Sequence, residues 1–171
     1  MKVTKRSVFF SSMVMIFCAC LLWEQRPVTI IRAVDSFEYD PRFMHGLNRD
    51  SLRGFTDNNF YNIVVDHMPL SEWGRINWYL EHKQVLKEKY LIPNSSSYHI
   101  TFWDIGSGFI DGNKSGDGDL ICINKTESGV DCLEKNLLLS IDLDKGRSEK
   151  FTFYDCEHYW MVMPDRRLKL F

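Results

Sequence analysis

The chain reads as α+β: an N-terminal transmembrane helix, then a small domain with one amphipathic helix packed on a twisted antiparallel β-sheet. Three observations predict this. An uncharged apolar run fills residues 7–23. An amphipathic repeat runs from Ser71 to Tyr90. After Ser97 the apolar period switches to two, in short runs separated by turn residues.

The chain's 171 residues suffice for one domain plus a targeting segment. The net charge of −2 argues against a nucleic-acid partner. Lys2, Lys5 and Arg6 are the only charges before Glu24. Setting those three aside from 21 basic residues against 23 acidic ones leaves the remainder mildly acidic. Such a surface fits solubility or a basic partner.

Residues 1–6 form a basic N-terminus and residues 7–23 an anchor. As a helix the run reaches about 25 Å, against roughly 30 Å of hydrocarbon. Lys5 and Arg6 are placed to snorkel at one end, with Trp23 at the other interface. Positive charge before the run and little after it predicts a single-pass, N-inside orientation, with the rest of the chain translocated. Two rivals stay open. A cleaved signal peptide needs small residues before the cut, and no Ala-x-Ala precedes Glu24. A lipoprotein signal has Ala19-Cys20, but Phe17 fits it poorly and the apolar run continues past Cys20.

Residues 27–171 are then the extracytoplasmic domain. Pro27 to Val34 is β-branched and predicts a first strand. Residues 35–59 mix Pro, Gly, Asn and charges with isolated aromatics and predict a long loop, a length uncommon in compact domains. Phe60 to Val65 predicts a second strand, ended by Pro69. Ser71 is a good N-cap, and Ile76, Leu80, Lys83, Leu86 and Tyr90 line one face, widened by Trp73 and Tyr79. Pro93 ends the helix. Tyr98, Ile100 and Phe102 then alternate with His99, Thr101 and Trp103. Leu120–Ile123 and Val130–Leu133 bracket a loop from Asn124 to Gly129. Strands follow at Leu137–Leu143, Phe151–Tyr154, Tyr159–Met163 and Arg167–Phe171.

Several residues here resemble a known family. The pattern from Met68 to Pro93 (Met-Pro-Leu-Ser-x-x-Gly-Arg-Ile-Asn-Trp-Tyr-Leu-x-x-Lys-x-x-Leu-Lys-x-Lys-Tyr-x-Ile-Pro) is similar to that of an enterobacterial membrane protein family, domain of unknown function 943. His99-Ile-Thr-Phe-Trp103, Gly106-Ser-Gly108-Phe109, Leu120-Ile-Cys122 and Asp131-Cys132-Leu-Glu-Lys-Asn136 resemble it too, as does Arg26-Pro-Val28. The likeness covers nearly the whole chain except residues 35–59. It implies an inner-membrane anchor and a periplasmic domain, and implies no reaction. Some members sit near secretion and toxin clusters, which suggests an immunity-type role by association.

Among the cysteines, Cys122 and Cys132 lie at the ends of one hairpin and can pair if the domain is extracytoplasmic. Cys18 and Cys20 read as small apolar residues, and Cys156 as a leftover thiol. Asp111, Asn113, Ser115, Asp117 and Asp119, with Gly116, match the front half of a calcium loop. Cys122 stands where a bidentate Glu belongs, and no helices flank the loop. The five histidines show no zinc spacing, and no nucleophile elbow or phosphate loop is present. Cys156 and His158 would share a strand face as a thiol–imidazole pair. Phe37, Tyr39, Phe43 and Phe55 give the 35–59 loop the character of a partner-recognition loop.

The sequence thus predicts a non-enzymatic, membrane-tethered binding or immunity-type protein. It would need no cofactor and would contact a protein partner, a toxin or an envelope component. The alternative is an envelope protein that binds a small ligand or calcium through residues 111–119.

Overall fold

A computed structural model describes residues 5–24, 26–35, 59–112, 120–126, 129–153 and 157–171. The N-terminal helix α1 spans Lys5–Glu24. Its apolar side chains point outward all round: Val8, Phe9, Phe10, Met13, Ile16 and Phe17 are all more than half exposed. The described side chains of α1 run only from Val8 to Ala19, with Leu22. Among the described residues, no helix is long and apolar enough to cross a membrane.

The domain begins with β1 (Thr29–Asp35), antiparallel to β2 (Asn59–Asp66). Helix α2 (Glu72–Tyr90) follows, then β3 (Tyr98–Asp104), which pairs with β2 in parallel. That pairing corrects the expected all-antiparallel sheet. A helix inserted between two neighbouring strands carries the chain back to the starting end, so the second strand runs alongside the first. Next come β4 (Ile110–Asp111), β5 (Leu120–Thr126), β6 (Gly129–Glu134) and β7 (Leu137–Leu143). The short strands β8 (Lys150–Thr152), β9 (Trp160–Val162) and β10 (Leu168–Leu170) finish the chain. The strands form two sheets: seven in the order β1-β2-β3-β7-β8-β9-β10, and three in the order β4-β6-β5.

The registers place the core. Tyr61, Ile100, Ile141 and Phe151 lie side by side across β2, β3, β7 and β8, and Ile63, Phe102 and Leu139 form the next rung. All seven are essentially inaccessible. Helix α2 lays Ile76, Tyr79 and Leu86 over this face. The Tyr79 ring meets Phe102 and Phe151 edge-on, with centroids 6.2 and 5.9 Å apart. Each fully buried apolar side chain of this size contributes about 1.5–3 kcal/mol, which makes this layer the main source of stability.

Local chemistry sets the ends of α2. The Ser71 hydroxyl accepts the Gly74 amide at 3.1 Å, as expected of an N-cap. At the other end Leu91 takes a left-handed conformation (φ 58°), and the Leu91 and Ile92 amides donate to the carbonyls of Lys87 and Leu86. Trp73 does not widen the buried face; it is 61% exposed, in the first turn of α2.

The small sheet is built differently. Cys122 and Cys132 face each other in the β5–β6 register and form a disulfide. β5 runs on to Thr126, so the predicted loop from Asn124 shrinks. Gly112 lies against the disulfide; a Cβ there would come within 2.3 Å of the Cys132 sulfur. Arg32 of β1 ties the two sheets together. Its guanidinium lies 2.6 Å from the Asp131 carboxylate and 4.4 Å from the Phe109 ring centre.

Candidate functional site

The side chains of α2 and the turn after it enclose a groove of about 630 Å³. One wall is the polar edge of α2, where Lys83 and Lys87 sit one turn apart with Gln84 between them. The other wall is the turn Pro93–Ser96, and Tyr98, Leu80 and Leu143 form the floor. Tyr61 braces the turn: its hydroxyl donates to the Asn94 side-chain oxygen at 2.5 Å and accepts the Asn94 amide at 3.2 Å.

Beneath Lys83 lies Glu149, a carboxylate only 9% exposed. One of its oxygens accepts the Tyr79 hydroxyl at 2.8 Å, the Lys83 ammonium at 2.6 Å and the Tyr98 hydroxyl. A buried carboxylate is tolerable only when paired and hydrogen-bonded in this way. The phenols respond to the same surroundings. Burial, then the Glu149 charge beside it, pushes Tyr79 far above the usual phenol range. Burial, then its hydrogen bond to Glu149, raises Tyr98 as well. Both phenols therefore stay protonated donors at neutral pH. Glu149 holds Lys83 in place and balances its charge, and the groove adds the Lys87 ammonium beside amides and hydroxyls. Such a lining suits an anionic or highly polar ligand surface.

The opposite face of the large sheet carries a second polar cluster. His99 pairs with Asp142 across β3 and β7, and Thr101 pairs with Ser140 on the next rung. His99 Nδ1 lies 2.5 Å from Asp142 Oδ1, while its Nε2 lies 3.0 Å from Thr101 Oγ1 and 3.3 Å from Ser140 Oγ. The order carboxylate–imidazole–hydroxyl matches that of acyl-transfer relays. The hydroxyls, however, are buried at 6% and 7% exposure, on two interior strands whose amides serve the ladder. An oxyanion site needs free, converging donors, which such strands do not offer. The cluster satisfies its own hydrogen bonds across the sheet.

Neither cluster is legible in the sequence. His99-x-Thr101 and Ser140-x-Asp142 share the period-two spacing that puts residues on one strand face, but their pairing depends on register. Lys83 and Glu149 stand 66 residues apart, joined only by the fold.

The residues singled out in the sequence fare unevenly. Cys122 and Cys132 are bonded. Of the calcium-loop candidates, Asp111 lies in β4 opposite Asp131, and Asn113, Ser115, Asp117 and Asp119 lie outside the described residues. Among the described residues no group of three or more His, Cys, Asp or Glu could hold a metal ion. Phe37, Tyr39, Phe43 and Phe55 also lie outside, as does Cys156. His158 reaches back 3.2 Å to Glu72 near the start of α2, and the Trp160 indole donates to the same carboxylate at 2.8 Å.

In comparison with known proteins, a family model described as "Enterobacterial putative membrane protein (DUF943)" matches residues 2–169. No curated protein and no solved structure matches the chain.

Proposed function

The chain belongs to this enterobacterial membrane-protein family (DUF943), and we propose that it is a single-pass, inner-membrane-tethered periplasmic protein that acts by binding, without chemistry. The tether is α1. Its outward apolar side chains make it a poor fit to water, and the basic residues before it favour an N-inside orientation. The apolar sequence run continues past Ala19 through Cys20, Leu21, Leu22 and Trp23. The Cys122–Cys132 disulfide suits an oxidising compartment. Alkaline phosphatase fused after Phe171 should then be active in intact cells, and an inactive fusion overturns the topology.

The observation that carries the binding reading is the groove, with Lys83 and Lys87 over a fixed floor. Its partner is an acidic segment of another protein, either a toxin, which makes the role immunity-type, or an envelope component. A photo-crosslinking amino acid at Gln84 tests this in cells. Adducts that form at 84, are absent at the exposed Lys169, and vanish with Lys83→Glu/Lys87→Glu support the groove. Equal crosslinking at both positions sinks it.

A further inference from the structure

The connection between α1 and the domain is short and tied down. α1 ends at Glu24 and β1 starts at Thr29, so the link spans at most about 18 Å. Thr29 pairs with Asp66, which places the link at the C-terminal end of β2. There the Arg26 guanidinium lies 3.7 Å from the Asp66 carboxylate, and the His67 ring nitrogen Nε2 lies 3.2 Å from the Arg26 carbonyl oxygen, to which it can donate.

The same end of the domain holds the corner Met68–Trp73. The Arg75 guanidinium braces it by donating to the carbonyls of Pro69 at 2.8 Å and Leu138 at 2.9 Å. Gly74 packs so closely that a Cβ would come within 2.8 Å of Pro69. Glu72 points inward to Trp160. What this rigid corner turns outward is Leu70 and Trp73, 53% and 61% exposed.

We infer that Leu70 and Trp73 form a second membrane contact, seated in the interfacial layer of the bilayer that holds α1. The inference rests on the tethered reading above. An exposed indole beside a leucine is the side-chain chemistry of the lipid–water interface, where the apolar ring is buried and the N–H stays wet. The contact orients the domain. Lys87 lies fourteen residues beyond Trp73 on the same helix, about 21 Å along its axis, so the groove sits well away from the docked corner. A docked corner leaves the groove open to a partner arriving from the periplasm.

The test uses the full chain in phosphatidylethanolamine–phosphatidylglycerol vesicles whose lipids carry bromine quenchers high in the acyl chains. A fluorescent amino acid replaces Val14, Trp73 or Lys87 in turn, and circular dichroism checks that each variant folds. Quenching at 14 and at 73, each several-fold stronger than at 87, is the expected result. Quenching at 14 with 73 as weak as 87 overturns the docked corner and leaves the tether standing. No quenching at 14 removes the tether, and the inference falls with it.

Discussion

The two sheets are stabilised by different means. The seven-stranded sheet buries two rungs of large side chains against α2, within one core cluster that reaches from Tyr61 to Phe153. The three-stranded sheet has, among the described residues, only Cys132 and Leu133 fully buried, and it relies on a disulfide and on the missing side chain of Gly112. Where a helix is available to cover a face, apolar burial suffices. Where a hairpin folds out from the main layer with little to cover it, a covalent link takes that role. The groove and the corner at Trp73 both belong to the burial-stabilised part.

Four changes would break or sharpen this contrast. Phe102→Ala opens a cavity under α2 and should cost about 3–5 kcal/mol in denaturant unfolding. A loss under about 1 kcal/mol would show that this layer is not the main core. Replacing Cys122 and Cys132 together by Ser should cost about 2–3 kcal/mol. The loss should be local: hydrogen exchange should quicken in β4–β6 while β2, β3 and β7 keep their protection. Equal loss of protection throughout would mean the two sheets unfold as one unit.

The third change is alkaline pH. Tyr79 and Tyr98 are held protonated in the folded state, whereas unfolded tyrosines ionise near pH 10. Above about pH 10 the unfolded chain therefore binds fewer protons than the folded one, and stability falls as pH rises. Below that pH both states are protonated and the contribution is fully present. The slope of melting temperature against pH above 10 should be shallower in Tyr79→Phe. An unchanged slope would mean Tyr79 is not held protonated.

The smallest effect belongs to Arg32→Ala, which cuts the link between the sheets. Its pair with Asp131 is about a third exposed on each side, so the loss should stay within about 1 kcal/mol. A double-mutant cycle with Asp131→Ala measures it. A coupling well above that value would make the link a structural hinge of the fold rather than a surface tie.

Much of the fold was legible along the chain. The N-cap at Ser71, the stop at Pro93, the alternation from Tyr98 to Trp103 and the pairing of the hairpin cysteines all rest on interactions between near neighbours. The misses are of another kind. The parallel β2–β3 pairing and the separate small sheet are choices among strand partners, which periodicity does not encode. The spacing of Trp73 allows the buried face, yet the fold leaves it exposed in the first turn of α2. Of the candidate site, the helix that carries Lys83 and Lys87 was evident. Their use was not, because Glu149 gives them meaning only once β7 and the turn behind it bring it under α2.

From the order of residues alone came the α+β class, the apolar run at 7–23, the extent of α2, most strand positions and the family. These follow from local periodicity, capping and turn chemistry, which act over a few residues. The tertiary structure alone decided the strand order, the three donors on Glu149, the closed network around His99 and the rigid corner next to the α1 link. Each of these joins residues whose separation along the chain is bridged only by register and packing, and no local pattern carries that information.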